Sequence, residues 1–400
     1  AREQALAQAR TAESEIQSGR WRGPLHSIPI GLKDLIDTRE LPTTAASARF
    51  RERVPEEDAE VVKKLKAAGA VLVGKHNLHE FAYGACSLVS YFGPVRNPID
   101  PEFIAGGSSG GSAAAVGSGM CLAAIATDTA GSIRQPAALC GLVGLKPTYG
   151  LVSTRGIIPL SSSLDHAGPI ARSVEDAALV LEAISDPPRD SGYAENLAGR
   201  LDSLRLGIPR NFFFEDLDDE IRGSVEAAIA KLGGLGCELS EIDLAVPTDR
   251  TVQKFEAYAW HREAIHGSPE LYQRETLDRL RSGERITAAE YERRRGELER
   301  LRAEISRSLA GVDLMVTPAT PRPAPRISDL LREPELLRPA ELMLLRNTRP
   351  MNVWGLPAIS VPCGRTRRGL PIGLQLAAPP AGERTLLRAA YAFEQARDST

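Results

Sequence analysis

Two glycine-rich loops of this chain each carry a serine in a position suited to covalent chemistry. The first loop, residues 106–112, reads GGSSGGS and contains Ser108; the second, residues 131–134, reads GSIR and contains Ser132. Because glycine has no side chain, such loops leave backbone N–H groups free to approach a ligand. A serine hydroxyl is a poor nucleophile until a base takes its proton and the resulting oxyanion is stabilised. The two loops therefore predict a nucleophilic serine and a second serine that relays its proton.

The base that this chemistry requires has two candidates. Histidine is the usual base, and His166, which ends the segment SSSLDH, is the best placed, although a hydrogen-bonded structural histidine is the simpler interpretation. Lys33 is the alternative, because it directly follows the apolar run IPIGL, residues 28–32. Burial lowers the pKa of a lysine by as much as about 3–5 units, which leaves an amine that accepts a proton near pH 7. A surface lysine with its ammonium in water is the ordinary interpretation of the same position.

Two better-known glycine motifs fit the first loop poorly. The run GGSSG matches the G-x-S-x-G pattern of a nucleophile elbow, but that elbow needs a strand directly before it. Pro98 and Pro101 precede the loop, which is unfavourable for a central strand. No Gly-Lys-Ser/Thr follows the glycines, which argues against a phosphate-binding loop.

The overall composition is that of a globular protein without a strong charge bias. The 400 residues are 42% hydrophobic and 25% charged with a formal net charge of -3, so no basic excess points to nucleic acid or to an anionic membrane. The cysteines are scattered and form no Cys-x-x-Cys pair, which argues against a disulfide framework and a zinc site. No apolar run reaches the length of a transmembrane helix, and we predict a cytoplasmic protein that does not enter a membrane.

Alternating strand and helix patterns predict an α/β fold. An apolar strand over residues 28–32 is followed by an amphipathic helix over residues 58–68, which ends at Gly69, and by a strand over residues 71–73. This order is typical of a mixed or parallel sheet that is covered by helices. Further strands are predicted over residues 120–126, 142–145, 206–209, 312–316, 357–362 and 372–376, and further helices over residues 1–18, 113–116, 174–184 and 386–395.

The most charged part of the chain, residues 252–309, is predicted to be helical and to cap the site. It contains the arginine run 293–295, for which a solvated helix face is the simpler interpretation and a patch for an anionic ligand the alternative. Residues 186–198, rich in Pro, Asp, Gly and Asn, are predicted to form a surface loop.

A long signature joins the two serine loops. Residues 106–148, GGSSGGSAAAVGSGMCLAAIATDTAGSIRQPAALCGLVGLKPT, closely resemble the signature of the amidase signature family. The resemblance extends, in the same order, to four shorter segments: residues 24–34 (PLHSIPIGLKD), 74–81 (GKHNLHEF), 163–169 (SLDHAGP) and 355–362 (GLPAISVP). A long signature with several accompanying segments is highly specific.

This resemblance implies a Ser-Ser-Lys triad. Ser132 falls on the family's nucleophile and Lys33 falls on the base. Ser108 falls on the bridging serine, whose preceding peptide bond is cis in the family. A neutral Lys33 would take a proton from Ser108 while Ser108 takes one from Ser132, and no metal or cofactor is implied.

The same resemblance implies roles for the residues around the nucleophile. The backbone N–H groups of Thr129, Ala130, Gly131 and Ser132 would form the oxyanion hole, and Ala130 stands where the family usually has glycine. Alanine is tolerated at that position if its φ is negative and is strained if its φ is positive.

Five further residues are expected to support the site or to line it. Asp128 and Arg134 should pair and brace the loop of the nucleophile, and Ser109 should form a hydrogen bond within its own loop. Tyr83 and Cys86 are candidates for binding the substrate, although Cys86 is equally well explained as buried apolar filling.

By resemblance, the fold is an α/β/α sandwich in which helices cover both faces of one large mixed β-sheet. We expect a single domain of residues 1–400, with a catalytic core over residues 20–185 and 310–400. A variable helical cap over residues 186–309 is expected to shape the substrate entrance.

The implied function is a serine hydrolase that cleaves a linear amide C–N bond through an acyl-enzyme, with carbamates and aryl esters as further substrates. We expect a small-molecule substrate and a monomer or homodimer. The alternative within the family is the glutaminase subunit of a tRNA-dependent amidotransferase. A free-standing amidase is favoured by three segments: residues 155–161 (RGIIPLS), 258–263 (YAWHRE) and 269–272 (PELY). A non-catalytic binding protein on the same fold is a third hypothesis, and the presence of all three triad residues argues against it.

Overall fold

The computed structural model describes residues 2–186 and 192–398, and within them a sheet of ten strands forms the centre of the molecule. The strands in chain order are β1 (Pro29–Lys33), β2 (Val71–His76), β3 (Ala123–Asp128), β4 (Val143–Lys146), β5 (His166–Ala171), β6 (Arg205–Pro209), β7 (Glu238–Ile242), β8 (Leu314–Pro318), β9 (Ala358–Arg365) and β10 (Pro371–Ala377). They lie side by side in the order β2-β1-β3-β5-β4-β9-β10-β8-β6-β7. The sheet is mixed, because β1 is parallel to β2 and β3 and β6 is parallel to β7 and β8, whereas the pairs between these two groups are antiparallel.

The described residues also form α-helices along the whole length of the chain. These are α1 (Arg2–Gln17), α2 (Glu60–Ala67), α3 (Gly110–Gly117), α4 (Arg134–Leu139), α5 (Val174–Ile184), α6 (Asp219–Gly234), α7 (Thr251–Gly267), α8 (Arg274–Arg281), α9 (Ala288–Ser308), α10 (Ile327–Arg332), α11 (Leu337–Leu344), α12 (Arg349–Val353) and α13 (Glu383–Asp398). In this part of the chain, no helix combines the length and the apolar character that crossing a membrane requires.

Helices cover both faces of the sheet, as the resemblance implies. Side chains alternate between the two faces along a strand. In β3, Ala123 and Ile125 belong to a core cluster with residues of α2, α5, α6 and α13, whereas Ala124 and Ala126 belong to a second cluster with residues of α3 and α4. Burial of a side chain such as Ile125, which is fully buried, stabilises the fold by roughly 1.5–3 kcal/mol. The predicted α/β/α arrangement is confirmed.

Most predicted elements are present, with shifts at their ends. Helix α5 spans Val174–Ile184 as predicted, and α2 stops at Ala67 shortly before Gly69, whose φ of +78° suits the position after a helix. Strand β3 begins at Ala123 and not at Met120, because its pairing with β5 starts at Ala123 and Met120 is 74% exposed before it.

The predicted helical cap over residues 186–309 is longer than the helical part of the structure. Strands β6 and β7, within residues 205–242, extend the main sheet through the parallel pairing of β6 with β8. The outer strand β7 reads ELSEI and is mostly exposed, so it lacks the apolar pattern that would reveal a strand. Helices α7, α8 and α9 make up residues 251–308, which we call the helical region. The predicted loop at 186–198 falls partly on residues 187–191, which lie outside the described residues.

Candidate active site

The candidate site lies at the carboxyl ends of two parallel strands. Strands β1 and β3 are neighbours, with Ile30 opposite Ala123, so their carboxyl ends reach the same edge of the sheet. Lys33 is the last residue of β1 and Asp128 is the last residue of β3. Ser132 follows β3 in the loop that leads to α4. Ligands of α/β sheets bind outside the carboxyl ends of the strands, so the position of these residues suits a functional site.

Lys33 is fully buried, and its amino group contacts two hydroxyl groups. Its Nζ atom donates hydrogen bonds to Ser108 Oγ and to Thr127 Oγ1, each at 2.7 Å. Burial lowers the pKa of Lys33 to about 7, although the Asp128 and Asp165 carboxylates act in the opposite direction. Near neutral pH, this side chain is therefore divided between the ammonium form and the free amine that a base requires.

The loop that carries Ser132 is held by a buried ion pair. The Asp128 carboxylate accepts hydrogen bonds from the N–H groups of Gly131 and Ile133, at 2.7 and 3.2 Å. It also pairs with the Arg134 guanidinium at 3.0 Å, and both side chains are fully buried. Burial opposes the ionisation of Asp128, but the adjacent guanidinium outweighs it and holds the pKa of this carboxyl below its usual range. Asp128 and Arg134 thus pair beside the loop as expected from the sequence.

Arg134 also connects this loop to the carboxyl-terminal part of the chain. Its guanidinium donates to the carbonyl oxygen of Thr348, to Gln375 Oε1 and to Asn352 Oδ1, at 2.8, 2.7 and 2.7 Å. Asn352 in turn donates from Nδ2 to the Asp128 carboxylate at 2.7 Å. Loss of one side chain of this hydrogen-bond network would leave its buried partners without hydrogen bonds. Each unsatisfied group costs about 1–3 kcal/mol if neutral and more if charged.

Gln135 joins the two serine loops. Its Oε1 atom accepts a hydrogen bond at 2.8 Å from the N–H of Gly107, and the peptide bond from Gly107 to Ser108 is cis, as the resemblance implies. Because Gln135 lies in the first turn of α4, this contact fixes the Ser108 loop against the loop before that helix. Ser109 differs from expectation: its Oγ donates to the carbonyl oxygen of Thr127 in β3, at 3.2 Å, and not within its own loop.

The expected oxyanion hole is only partly available to a ligand. The N–H of Gly131 is bonded to the Asp128 carboxylate at 2.7 Å, and its role as an oxyanion donor stays a prediction. Within residues 2–186 and 192–398, no acceptor takes the N–H groups of Thr129, Ala130 or Ser132. Ala130 is not among the residues with positive φ, so alanine fits there without backbone strain. Gly131 has a φ of +132°, and a Cβ atom on it would lie 1.9 Å from Thr348 Oγ1, so this position requires glycine.

The wall beside this loop is apolar. Ala85, Ala130 and Leu345 are buried against one another. Tyr83 is buried in a neighbouring core cluster, and burial raises the pKa of its phenol. Cys86 lies fully buried in a different cluster, where burial raises the pKa of its thiol well above its ordinary value. Ala85 is therefore the residue of this segment that packs against the loop, and the burial of Cys86 favours its interpretation as apolar filling.

His166 has the contacts of a structural histidine. Its Nδ1 atom lies 2.7 Å from the carbonyl oxygen of Leu164 and 3.2 Å from that of Asp128. Because carbonyl oxygens only accept hydrogen bonds, Nδ1 must carry the proton. Burial lowers the pKa of this imidazole well below its usual value. These contacts favour the structural interpretation of His166 over that of a base.

Sequence reasoning missed four residues of this site: Thr127, Gln135, Asp165 and Asn352. The first three lie inside the signature or its accompanying segments, and this was the available signal; Asn352 lies outside these segments. Burial raises the pKa of Asp165 to about 6, and its carboxyl accepts a hydrogen bond from Thr129 Oγ1. Asp165, Thr127 and Thr129 line a cavity of about 220 Å³ beside the strand ends.

Comparisons with known proteins define the family. The sequence profile of the Amidase family matches residues 1–387, and the chain belongs to this family. The glutamyl-tRNA(Gln) amidotransferase A-subunit of Lachnospira eligens is 37% identical over 99% of this chain and 89% of that protein.

Two solved structures are also similar to this chain. A crystal structure of an amidase is 34% identical, with a TM-score of 0.86 over 99% of this chain and 90% of that chain. The glutamyl-tRNA(Gln) amidotransferase A-subunit of Thermotoga maritima is 33% identical, with a TM-score of 0.78 over 99% of this chain and 92% of that chain.

Proposed function

We propose that this protein is a serine amidase that hydrolyses the C–N bond of a linear amide to a carboxylic acid and ammonia or an amine. The observation that carries the proposal is the 2.7 Å contact between Lys33 Nζ and Ser108 Oγ, formed by a lysine that is fully buried. Ser132 is the proposed nucleophile, Ser108 the proposed relay and Lys33 the proposed base. Carbamates and aryl esters form the same acyl-enzyme, so we propose them as further substrates.

In the proposed first step, the Ser132 oxygen forms a bond to the amide carbonyl carbon. The proton of Ser132 passes to Ser108, and the proton of Ser108 passes to the amine of Lys33. The carbonyl oxygen becomes an oxyanion near the N–H groups of Thr129, Ala130 and Ser132, which stabilise its charge.

In the second step the C–N bond breaks. The proton held by Lys33 returns through Ser108 to the leaving nitrogen, and an ester of Ser132 remains. Water then attacks this ester with the same base and relay, which releases the carboxylic acid and restores all three side chains.

A free-standing amidase is the form we favour, and a glutaminase component of an amidotransferase is the second candidate. The name of the relative in L. eligens supports the second candidate. The free-standing form is supported by the higher structural similarity to the amidase than to the T. maritima protein, at nearly equal sequence identity. The segment RGIIPLS, residues 155–161, supports it as well.

A fluorophosphonate probe tests the proposal, because it reacts with an activated serine. We expect an adduct on Ser132 of the isolated protein and none on the Ser132→Ala variant. An unlabelled protein would favour the non-catalytic binding protein instead. Turnover of a panel of amides, carbamates and esters by the isolated chain supports the free-standing amidase, whereas glutamine turnover that requires added partner subunits would favour the amidotransferase component.

The proposed setting is a small-molecule reaction in the cytoplasm, catalysed by a monomer or homodimer. All five cysteines are free thiols, and four of them are buried, which suits a reducing compartment.

A further inference from the structure

A second cavity lies beside the start of the helical region and is lined by three arginines. Its volume is about 310 Å³, and the loop before α7 and residues 339–350 border it. Arg250, Arg346 and Arg349 line it together with apolar side chains such as Leu342. Among the described residues, no acidic side chain lines this cavity. The cavity is therefore both apolar and positively charged.

Only one of the three arginines has a carboxylate partner in the described part of the chain. Arg346 pairs with Glu215 and Asp216, at 3.0 and 3.3 Å. For Arg250 and Arg349, no carboxylate of residues 2–186 or 192–398 lies within ion-pair distance. The net positive charge of the cavity thus comes from Arg250 and Arg349.

Arg349 is 4% exposed and is bonded only to neutral groups. Its Nη atoms donate to the carbonyl oxygens of Pro247 and Asp249, and its buried Nε has no hydrogen-bond partner among the described residues. Burial lowers the pKa of Arg349 to about 10, although the Asp249 carboxylate acts in the opposite direction. Burial and the positive charges of Arg349 and Arg338 lower the pKa of Arg250 to about 9. Both guanidinium groups stay charged at neutral pH, so two like charges face one cavity whose described lining residues include no carboxylate.

Two acidic residues that are sequence neighbours of lining residues are bonded to other partners. The Asp249 carboxylate accepts hydrogen bonds from the N–H and the hydroxyl of Thr251, at 2.9 and 3.1 Å, and lies 3.6 Å from Arg294. Glu341 is fully buried and pairs with Arg279 at 2.8 Å. Both carboxylates thus have partners elsewhere, and neither forms an ion pair with Arg250 or Arg349 among the described residues.

The cavity adjoins the candidate active site. Leu342 in its wall lies one helical turn before Leu345, which packs against Ala130 of the nucleophile loop. Thr348, the neighbour of Arg349, donates from Oγ1 to the carbonyl oxygen of Ala130 at 2.8 Å. Residues 342–349 therefore contact the nucleophile loop at some positions and line the cavity at others.

We infer that this cavity binds a carboxylate group on an apolar acyl chain of the substrate, and that Arg250 and Arg349 hold the carboxylate. The inference rests on the proposed amidase function and narrows its substrate class to amides of dicarboxylic half-acids. A guanidinium group matches the planar carboxylate with two parallel hydrogen bonds. The apolar lining contacts the methylene groups between this carboxylate and the amide carbonyl.

A pair of matched anilides tests the inference. Glutaric acid mono-4-nitroanilide and pentanoic acid 4-nitroanilide share the leaving group and the chain length and differ in whether the acyl chain ends in a carboxylate. We expect kcat/KM of the unmodified protein to favour the carboxylate compound by about 10-fold or more. Arg250→Gln should lower this ratio by about 10-fold, and Arg250→Lys, which keeps the charge, should retain part of it. Arg332→Gln, which removes an exposed arginine of α10, is the control and should leave the ratio unchanged.

The outcomes separate this inference from the proposed function. Equal kcat/KM for the two anilides, unchanged by Arg250→Gln in a protein whose Ser132 reacts with the fluorophosphonate probe, would overturn the carboxylate site and leave the amidase standing. Absence of both labelling and anilide cleavage would overturn the amidase instead.

A binding measurement keeps the carboxylate site testable without turnover. Calorimetric titration of the Ser132→Ala protein with hexanoate, and with hexan-1-ol as the uncharged counterpart, measures recognition of the carboxylate directly. Hexanoate should bind at least about 10-fold more tightly than the alcohol, and addition of Arg250→Gln should abolish this preference. Equal binding of the two compounds, or a preference that survives Arg250→Gln in a folded protein, would contradict the inference.

Discussion

Lys33 in the candidate active site, here the first region, and Arg250 and Arg349 in the second cavity, here the second region, are basic side chains that the fold buries. Burial has opposite consequences in the two regions. A lysine loses its proton readily, and burial lowers the pKa of Lys33 to about 7. Arginine keeps its charge near neutral pH, and the pKa values of Arg250 and Arg349 fall only to about 9 and about 10. Burial therefore produces a base in the first region, whereas in the second region it leaves positive charge that a bound anion would compensate.

The two regions also differ in the elements that hold them. Lys33 ends β1, a strand with a neighbour on each side, so its position relative to Ser108 is fixed by regular pairing with β2 and β3. Arg250 and Arg349 lie at the starts of α7 and α12, beside loops that border the cavity. A group on a sheet strand is positioned more exactly than a group beside a loop, which suits Lys33 as a base and the two arginines for substrate selection.

Ser132→Ala should have the largest effect, because it removes the atom on which the first region acts. We expect kcat for an amide to fall by about 10⁴-fold or more, since no acyl-enzyme forms, and the thermal midpoint to change little. Steady-state kinetics and thermal unfolding measure both quantities. Ser109→Ala is the matched control, because Ser109 donates to a strand carbonyl and should contribute far less. Turnover retained within tenfold in Ser132→Ala would break the assignment.

Lys33→Ala should lower amide hydrolysis by about 10²–10⁴-fold and ester hydrolysis by less. The reason is that a poor amine leaving group depends most on the proton that Lys33 returns. Kinetics on a 4-nitroanilide and a 4-nitrophenyl ester of the same acid measure the difference. Equal losses on the two substrates would count against the relay.

Lys33→Arg sharpens the contrast between the two kinds of buried cation. The arginine retains a charge that the pocket cannot neutralise, so amide hydrolysis should fall as far as in Lys33→Ala and the free energy of unfolding should also decrease. Denaturant unfolding measures the change in stability, and the anilide assay measures the change in amide hydrolysis. An active and fully stable Lys33→Arg protein would show that a neutral amine is not required.

The pH dependence of kcat/KM should also show that Lys33 is the base, with a smaller change in rate than the substitutions cause. Deprotonation of Lys33 generates the active amine, so kcat/KM for an amide should increase with pH and reach half of its upper limit near pH 7. Circular dichroism at each pH provides the control for unfolding. A profile that is flat from about pH 6 to about pH 8, or that falls over this range, would be incompatible with a lysine base of pKa about 7.

The smallest expected effects come from two glycine substitutions, one of which should raise the free energy of unfolding and the other lower it. Gly296 lies in α9, and a Cβ atom there meets nothing within 4 Å, so Gly296→Ala should raise the free energy of unfolding by about 0.5–1 kcal/mol and leave kcat/KM unchanged. Gly131→Ala should lower both stability and activity, because its Cβ atom would collide with Thr348 Oγ1. Denaturant unfolding measures both variants. A destabilised Gly296→Ala protein, or an unaffected Gly131→Ala protein, would contradict the assigned environments.

Local patterns in the sequence predicted many residues of the first region. Ser108 and Ser132 lie in glycine-rich loops, and Lys33 follows an apolar run, so each carries a signal within a few residues. The expected pairing of Asp128 with Arg134 is likewise short in sequence and is present. Local spacing did not reveal that the N–H of Gly131 bonds to Asp128, because that depends on the path of the loop.

The second region could not be predicted in the same way, because its contacts join distant parts of the chain. Arg250 and Arg349 meet at one cavity only after the sheet and the helical region have folded. The predicted cap boundary was wrong for a related reason: β7 is an exposed edge strand with charged side chains, so only its pairing with β6 identifies it. The strand ends of the first region were predicted more closely, since apolar runs mark buried strands.

The most direct measurement is the titration of the Lys33 amino group in the folded protein. The ¹³Cε and ¹⁵Nζ signals of labelled lysine can be assigned to Lys33 by their disappearance in the Lys33→Arg protein and followed from acid to alkaline pH. A midpoint near 7 is the expected result, because burial sets the pKa of this amine at about 7. A midpoint near the ordinary lysine value of 10.5 would show an ammonium group at neutral pH and would contradict Lys33 as the base.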